Sequence, residues 1–235
     1  MELAIETATR VCSVTFRDDK GEKFEKRSTG RGQHSEKLFV FIEELMKELA
    51  FEMKDLDAVM VSAGPGSYTG LRISASAVKG LLFNASTPLF AANTLASFAL
   101  SAFGENPVLN KVHAVIDARR VHVYHQSFER DEKKMLALKE VTVTPLKELN
   151  PIINSGEGLI GTGLKRMDDA ILDKAEVFDS TVISANGLLN LYDLMKGNQL
   201  EEDQKLIEKV DIGTYDPRYY TSNQVYKAPG ESNSK

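Results

Sequence analysis

The sequence predicts an α/β protein with two lobes, each built on a mixed sheet. Strand-like segments come first and helices then alternate with strands, which is typical of this class. The segments AIET (4–7) and VIDA (115–118) are alike, because each reads as a strand that ends on a carboxylate and turns into a second strand. This repeat predicts two related halves, 1–104 and 105–226, followed by a polar tail, 227–235, that we expect to be disordered.

The predicted elements of the first half are regular. Two strands flank a short polar turn, and a hairpin-type turn leads to a third strand. Helices then alternate with buried strands up to a break at 105–107. The predicted strands are 3–6, 11–17, 22–28, 59–63 and 88–92, and the predicted helices are 34–50, 69–84 and 94–103.

The second half repeats the opening pattern and then becomes less regular. A strand at 112–117, a turn at 118–120 and a strand at 121–128 repeat the pattern of the N-terminal hairpin. The remaining predicted elements are a strand near 141–144, a glycine turn at 161–163 before a helix, and a helix near 185–196.

Composition excludes several classes of function. Formal net charge is −5, and basic and acidic residues number 12 and 14 up to Glu105 and 17 and 20 beyond it. Neither half is basic, so the chain alone is a poor candidate for gripping a nucleic acid backbone. The single cysteine, Cys12, excludes an internal disulfide and a cysteine-rich zinc site, and its strand-like context predicts a small buried residue. The N-terminus is unlike a signal peptide and the apolar runs are short, so we expect a soluble cytoplasmic protein.

A glycine-rich turn follows the strand at 59–63. Gly64, Pro65 and Gly66 end the apolar run, and a helix opens with Ser67 or Thr69 as its cap. Free N–H groups in a first helical turn attract phosphate or carboxylate, although a plain strand-to-helix turn explains the pattern equally well. The segment is not a P-loop, because the lysine that a P-loop requires is absent. It is not a dinucleotide fingerprint either, because the third glycine, Gly70, comes one residue too late.

Other chemistry in the sequence is sparse. Glu6 and Asp117 each end a strand, where a carboxylate could hold hydrated Mg²⁺ near phosphates; the alternative is that both are solvated turn residues. His122 and His125 point to opposite faces of one strand, and there is neither a His-x3-His pair nor a Gly-x-Ser-x-Gly elbow. We therefore predict no catalytic residue and no metal ligand set in this chain.

Two helices have the pattern of a docking surface for another chain. The apolar arc of the helix at 34–50 spans about 160°, wider than the roughly 100° that a core-facing helix needs, and the helix at 69–84 carries small residues on two flanks. The alternative is a deeply seated helix pair. The predicted partner-binding residues are Leu38, Phe39, Phe41, Ile42, Met46, Ile73, Ser74, Ala77 and Leu81.

Several motifs together resemble one family. They are AIETAT (4–9) with CSV (12–14), HSE (34–36), GPGSYTGLRI (64–73), TL (94–95), IDAR (116–119) with VY (123–124), and GTG (161–163). In this order they resemble the bacterial TsaB (YeaZ) proteins of tRNA threonylcarbamoyladenosine biosynthesis. The match is dense to about Tyr124 and sparse afterwards, with Asp216, Pro217 and Tyr219 near the end.

The resemblance implies a two-lobed actin-like ATPase fold of the ribonuclease H-like (ASKHA) type. It also implies a non-catalytic subunit that binds and activates TsaD, the paralogue that transfers threonylcarbamoyl to adenosine 37 of ANN-decoding tRNAs. TsaE, an ATPase, joins the complex, and the two helices form the bundle with TsaD or, without it, a homodimer. The chain would meet tRNA only through the complex and would contact no membrane.

The resemblance implies no cofactor that this chain requires, but it allows ATP or ADP with Mg²⁺ at a subunit interface. The predicted nucleotide-binding residues are Glu6, Thr7, Gly64, Gly66, Ser67, Asp117, Gly161 and Gly163. Glu6 stands where the family usually has aspartate, and no arginine follows Tyr219, which weakens the case for independent nucleotide chemistry. The alternatives are an ATP-dependent phosphotransferase using Glu6 and Asp117, an M22-type peptidase, and a nucleotide binder without turnover.

Overall fold

The computed structural model describes residues 1–30, 32–131, 134–201 and 204–220, so the predicted tail at 227–235 lies outside the described residues. The described chain forms two mixed six-stranded sheets with helices between and outside them. Within these ranges no helix is long and apolar enough to cross a membrane.

The first sheet contains the N-terminal strands and one strand from the end of the chain. Its strands are β1 (Glu2–Glu6), β2 (Val11–Arg17), β3 (Lys23–Thr29), β4 (Ala58–Ser62), β5 (Leu89–Ala92) and β12 (Ile207–Val210). The order is β12-β5-β4-β1-β2-β3, with β1, β4 and β5 parallel and the others antiparallel to their neighbours. The division into lobes at 104/105 stays a prediction, and β12 crosses it by joining the first sheet.

The second sheet begins with a hairpin that resembles β1 and β2. Its strands are β6 (Lys111–Asp117), β7 (His122–Asp131), β8 (Lys134–Ala137), β9 (Thr142–Pro145), β10 (Gly158–Ile160) and β11 (Glu176–Phe178). The order is β11-β10-β6-β7-β8, and β9 pairs with the first residues of β7. In each sheet, therefore, an antiparallel hairpin adjoins parallel strands.

The helices form three layers around the two sheets. They are α1 (Gln33–Leu49), α2 (Tyr68–Leu81), α3 (Thr94–Glu105), α4 (Leu146–Leu149), α5 (Asp169–Leu172) and α6 (Asn186–Lys196). Leu3 and Ile5 of β1 pack with α1 and α2, whereas Ala4 packs in the central cluster with α3 and α6, because neighbouring strand residues point to opposite faces. The central cluster also contains Phe128 of β7, so it joins both sheets.

The sequence predicted most of the elements up to residue 128 within a few residues of their bounds. Ser67 is the cap of α2, since its Oγ accepts a hydrogen bond from the Gly70 N–H at 3.2 Å. Cys12 is buried as predicted, and burial raises the pKa of its thiol to about 11. The glycine turn at 161–163 leads into a 3₁₀ turn, Thr162–Arg166, and not into an α-helix. The short elements β8, β10, β11, β12, α4 and α5 were not predicted.

Candidate functional site

The two strand-end carboxylates occupy equivalent positions. Glu6 ends β1, and its Oε1 accepts a hydrogen bond from the Ala8 N–H at 2.6 Å. Asp117 ends β6, and its Oδ1 accepts one from the Arg119 N–H at 2.8 Å. The repeat found in the sequence is therefore a repeat of local structure, in which a carboxylate at a strand end receives the N–H two residues later.

Their surroundings differ so much that the two carboxylates cannot act alike. Glu6 is fully buried, its Oε2 has no hydrogen-bond partner among the described residues, and burial raises its pKa to about 7. Asp117 is half-exposed and its Oδ1 lies 2.5 Å from an Arg166 guanidinium nitrogen. A hydrated Mg²⁺ ion needs accessible carboxylate oxygens, which Glu6 does not offer in this conformation. In the described parts of the chain, no three His, Cys, Asp or Glu side chains converge as a metal site.

The glycine-rich turn before α2 packs against the chain itself. A Cβ at Gly64 would lie 2.3 Å from the Arg218 carbonyl oxygen, and one at Gly66 would lie 2.6 Å from the Ala8 carbonyl oxygen. A Cβ at Gly70 would lie 2.1 Å from the Thr7 carbonyl oxygen, while the Thr7 hydroxyl donates to the Gly70 carbonyl at 3.0 Å. These glycines allow close approach of the chain's own backbone, and Thr7 has a structural hydrogen bond.

The second glycine turn is equally close to its own sheet. Gly161 has φ +128°, and a Cβ there would lie 1.9 Å from the Val115 carbonyl oxygen. A Cβ at Gly163 would lie 3.1 Å from the Val123 side chain. At Gly64, Gly66, Gly161 and Gly163 the space that a phosphate would need is filled by atoms of the same chain. The nucleotide-binding residue set therefore stays a prediction without structural support at these positions.

The C-terminal segment 215–220 runs past the strand ends of both sheets, beside the glycine-rich turn. The Arg218 N–H donates to the Ala63 carbonyl at 2.7 Å, and the Tyr219 ring lies 5.0 Å from the Tyr68 ring. The Tyr124 hydroxyl of β7 donates to the Tyr220 carbonyl at 3.1 Å. Ligands of open α/β sheets bind outside the carboxyl ends of parallel strands, and here the chain's own segment lies beside those ends. The sequence carried no pattern that predicts this crossing.

The structure corrects part of the predicted partner surface. Leu38 and Ile42 of α1 and Ser74 and Ala77 of α2 are at most 2% exposed, so they form the core beneath the helices. The wide apolar arc of α1 led to the prediction of a partner surface. In the structure α1 contacts both the first sheet and α2, so these contacts bury more than one stripe of its apolar side chains. Partner contact through these four side chains would require the fold to open.

The remaining residues of that prediction lie at or near the surface. Phe39 is 50% exposed, and Phe41, Met46, Ile73 and Leu81 are partly buried. Val40 at 41% and Phe83 at 82% exposure are further exposed apolar side chains, and they were not predicted. Phe83 was not selected although the predicted helix at 69–84 contains it, and in the structure it lies two residues past the end of α2.

A buried polar cluster in the second sheet was also missed. His113 Nδ1 lies 3.0 Å from His125 Nε2, and His113 Nε2 lies 2.8 Å from Glu157 Oε2. Burial, with the nearby His113 and Lys111, lowers the pKa of His125 to about 3, so this ring is neutral at physiological pH. The histidines lie on neighbouring strands, and spacing along one strand does not reveal such a pair. The cluster is a satisfied hydrogen-bond chain within the sheet.

Comparison with known proteins agrees with this architecture. The family model described as "TsaD: tRNA N6-adenosine threonylcarbamoyltransferase" matches residues 29–171. The Haemophilus influenzae tRNA threonylcarbamoyladenosine biosynthesis protein TsaB is 29% identical over 170 residues, which is 68% of this chain and 71% of the relative. The Escherichia coli protein of the same name is 32% identical over 130 residues, 55% of each chain.

Solved structures show the fold. YeaZ from Pseudomonas aeruginosa superposes with a TM-score of 0.73 at 24% identity, covering 93% of this chain and 99% of that one. A second Pseudomonas aeruginosa structure, described as similar to peptidase YEAZ, has a TM-score of 0.76 at 25% identity, covering 93% and 98%. The two mixed sheets around a shared helical layer are the two-lobed actin-like fold that the resemblance implied. The chain belongs to the TsaB (YeaZ) family.

Proposed function

We propose that this chain is a non-catalytic subunit of tRNA threonylcarbamoyladenosine biosynthesis, the process named in its relatives. In this proposal it binds and activates a TsaD-type transferase in the cytoplasm, a TsaE-type ATPase joins them, and two copies pair when the transferase is absent. The observation that carries the proposal is the set of exposed apolar side chains on and beside α1 and α2, here called the apolar face: Phe39 and Val40 of α1 and Phe83 just past the end of α2.

The composition of this face suits another protein chain. Phe39 and Val40 are neighbours on α1, α1 contacts α2, and Phe83 lies two residues past the end of α2. Exposed apolar side chains mark interaction sites when they form a contiguous patch. Glu43 and Lys47 of α1 are exposed and form an ion pair at 2.6 Å, which supplies the polar rim that interfaces commonly have. A Cβ at Gly80 would meet nothing within 4 Å, so α2 leaves open space in which a partner helix can approach.

The carboxylates and glycines favour a subunit over a phosphotransferase. A phosphotransferase would need Glu6 and Asp117 accessible to metal and phosphate, but Glu6 is buried and Asp117 is paired with Arg166. Gly64, Gly66 and Gly161 are close to backbone atoms of the same chain. We retain ATP or ADP with Mg²⁺ only as a ligand of a subunit interface, where a partner would supply the missing contacts.

The test is a charge placed on the apolar face. Phe83→Asp should abolish co-purification with the TsaD-type protein of the same genome, since it would bury a carboxylate in the interface. Val108→Asp is the matched control, because Val108 is 83% exposed against 82% for Phe83 but lies in the loop before β6. Light scattering of the mixed proteins measures the complex, and unchanged assembly of Phe83→Asp would reject the interface.

The functional consequence is measured separately. In cells that depend on this chain, Phe83→Asp should lower threonylcarbamoyladenosine in total tRNA to the level seen without the chain, and Val108→Asp should not. Transfer of threonylcarbamoyl by the purified chain alone would contradict the non-catalytic role.

A further inference from the structure

A strip of tyrosine and arginine side chains lies along the edge where the C-terminal segment crosses the two sheets. We define the Tyr–Arg strip as Tyr68, Arg72, Tyr219, Arg119, Arg120 and Tyr124. The first three lie on or against α2 and the last three on the β6–β7 hairpin. The crossing segment connects the two groups, because Tyr220 follows Tyr219 and accepts the hydrogen bond from Tyr124.

The part of the strip on α2 is an aromatic platform with a cation. Tyr68 is 58% exposed and its ring is tilted against that of Tyr219, with centroids 5.0 Å apart. Arg72 donates to the Tyr68 hydroxyl at 2.8 Å, and its guanidinium carbon lies 5.3 Å from the ring centroid. These two neighbours restrain the orientation of the Tyr68 ring, and its 58% exposure leaves surface accessible for stacking.

The part of the strip on the hairpin contains two exposed arginines, Arg119 and Arg120. Arg119 and Arg120 form the turn with φ +70° and +51°, a left-handed conformation that favours Asn and Gly. Both side chains are exposed, and neither guanidinium makes a hydrogen bond or ion pair with the residues that the structure describes. The chain thus places two cations at a turn where their backbone conformation is unfavourable.

The charges around the strip leave it locally positive. Asp117 forms an ion pair with Arg166, and Asp216 interacts electrostatically with Arg72 and Tyr219. Arg119 and Arg120 therefore supply the excess positive charge of the strip, in a chain whose net charge is −5. Such a small excess suits a local contact and not an extended grip on a duplex backbone.

We infer that the Tyr–Arg strip binds single-stranded RNA, with a base stacked on Tyr68 and phosphates held by Arg119 and Arg120. Exposed tyrosine rings stack on unpaired bases, and arginines beside them neutralise phosphates. In a duplex the bases are already stacked on one another, so the strip should discriminate against it. The inference rests on the proposed role in tRNA modification, to which it adds a direct RNA contact by this chain.

The experiment uses the full chain alone, at low ionic strength, with a fluorescent RNA hairpin that has a single-stranded loop. Fluorescence anisotropy should show that the chain binds the hairpin more tightly than a fully paired RNA of equal length. Tyr68→Ala should weaken hairpin binding by about tenfold, as expected for the loss of one base–aromatic stack. Tyr68→Phe should retain binding because it retains the ring.

A second pair of substitutions tests the two arginines and is chosen to preserve the turn. Arg119→Asn with Arg120→Gly removes both charges and supplies the pair that left-handed turns prefer. This variant should lower the slope of log Kd against log salt by about 1.4, since each single-strand phosphate contact contributes about 0.7. Lys20→Ala with Lys139→Ala removes two exposed positive charges that are not part of the strip and should leave the affinity unchanged.

Three results would overturn the RNA contact. They are absence of hairpin binding, equal affinity for the hairpin and the duplex, and an equal loss of affinity in the lysine control. Loss of assembly with the TsaD-type protein in Tyr68→Ala, with unchanged RNA affinity, would make the strip part of the protein interface and also overturn it. Failure of the proposed function is read independently, from assembly of Phe83→Asp and Val108→Asp.

Discussion

Gly70 lies so close to Thr7 that a methyl group at Gly70 would be 2.1 Å from the Thr7 carbonyl oxygen, and the Thr7 hydroxyl donates back to the Gly70 carbonyl at 3.0 Å. This contact joins the first turn of α2 to the β1–β2 turn. It shows that the glycine-rich motif holds two parts of the chain together at the edge of the first sheet.

Gly70→Ala should therefore destabilise the protein. The clash is with backbone atoms, which cannot rotate away, so we expect a loss of about 1–3 kcal/mol in the free energy of unfolding. Urea unfolding followed by circular dichroism measures it. Gly80→Ala is the control in the same helix: a Cβ there meets nothing within 4 Å, and stability should stay equal or rise by up to about 1 kcal/mol. Equal destabilisation by both substitutions would contradict the close-contact explanation.

Neighbouring residues of α1 should separate stability from partner binding. Leu38 is fully buried, so Leu38→Ala should cost about 2–5 kcal/mol of unfolding free energy. Phe39 is half-exposed, so Phe39→Ala should change stability by no more than about 0.5 kcal/mol while weakening binding to the TsaD-type partner. Thermal unfolding and titration of the partner measure the two effects. Full partner affinity in Phe39→Ala would remove α1 from the interface.

Glu6 should make the protein less stable as pH rises. Burial raises its pKa to about 7 in the folded state, so the folded state binds a proton that the unfolded state has already lost above about pH 4.5. Stability then falls from about pH 4.5 to about pH 7, by up to about 3 kcal/mol. Urea unfolding at a series of pH values should show this slope in the parent protein and its loss in Glu6→Gln.

Asp117→Asn is the control for the Glu6 experiment. Asp117 occupies the equivalent strand end, but its side chain is 42% exposed. The Asp117→Asn variant should keep the slope of the parent protein over the same pH range. A slope that persists in Glu6→Gln would assign the pH dependence to other groups.

Mg·ATP or Mg·ADP should not stabilise the isolated chain. A ligand that binds only the folded state raises the unfolding temperature, by more the further its concentration exceeds its Kd. The glycines that would admit phosphates here contact other parts of the same chain. Thermal scans with and without nucleotide, for the chain alone and for its complex with the TsaD-type partner, test this. A shift for the chain alone that disappears in Asp117→Asn would restore the nucleotide-binding prediction.

Local pattern was enough to predict the first half of the fold. Helical periodicity over 34–50, the apolar run at 59–63 and the repeated strand–carboxylate–turn are short-range signals, and each corresponds to an observed element. The short elements β10, β11 and β12 carry too few residues for a period to be recognised. Their pairing with distant strands gives them their conformation.

The sequence by itself determined the α/β class, the repeat at Glu6 and Asp117, the buried cysteine and the family. Tertiary structure alone decided which apolar residues of α1 and α2 are core and which are surface, because a helix wheel cannot show how many neighbours a helix has. It also decided that Glu6 is buried while Asp117 is solvated, and that the C-terminal segment crosses the edge of both sheets. These properties depend on contacts between residues far apart in the chain, and no local pattern encodes them.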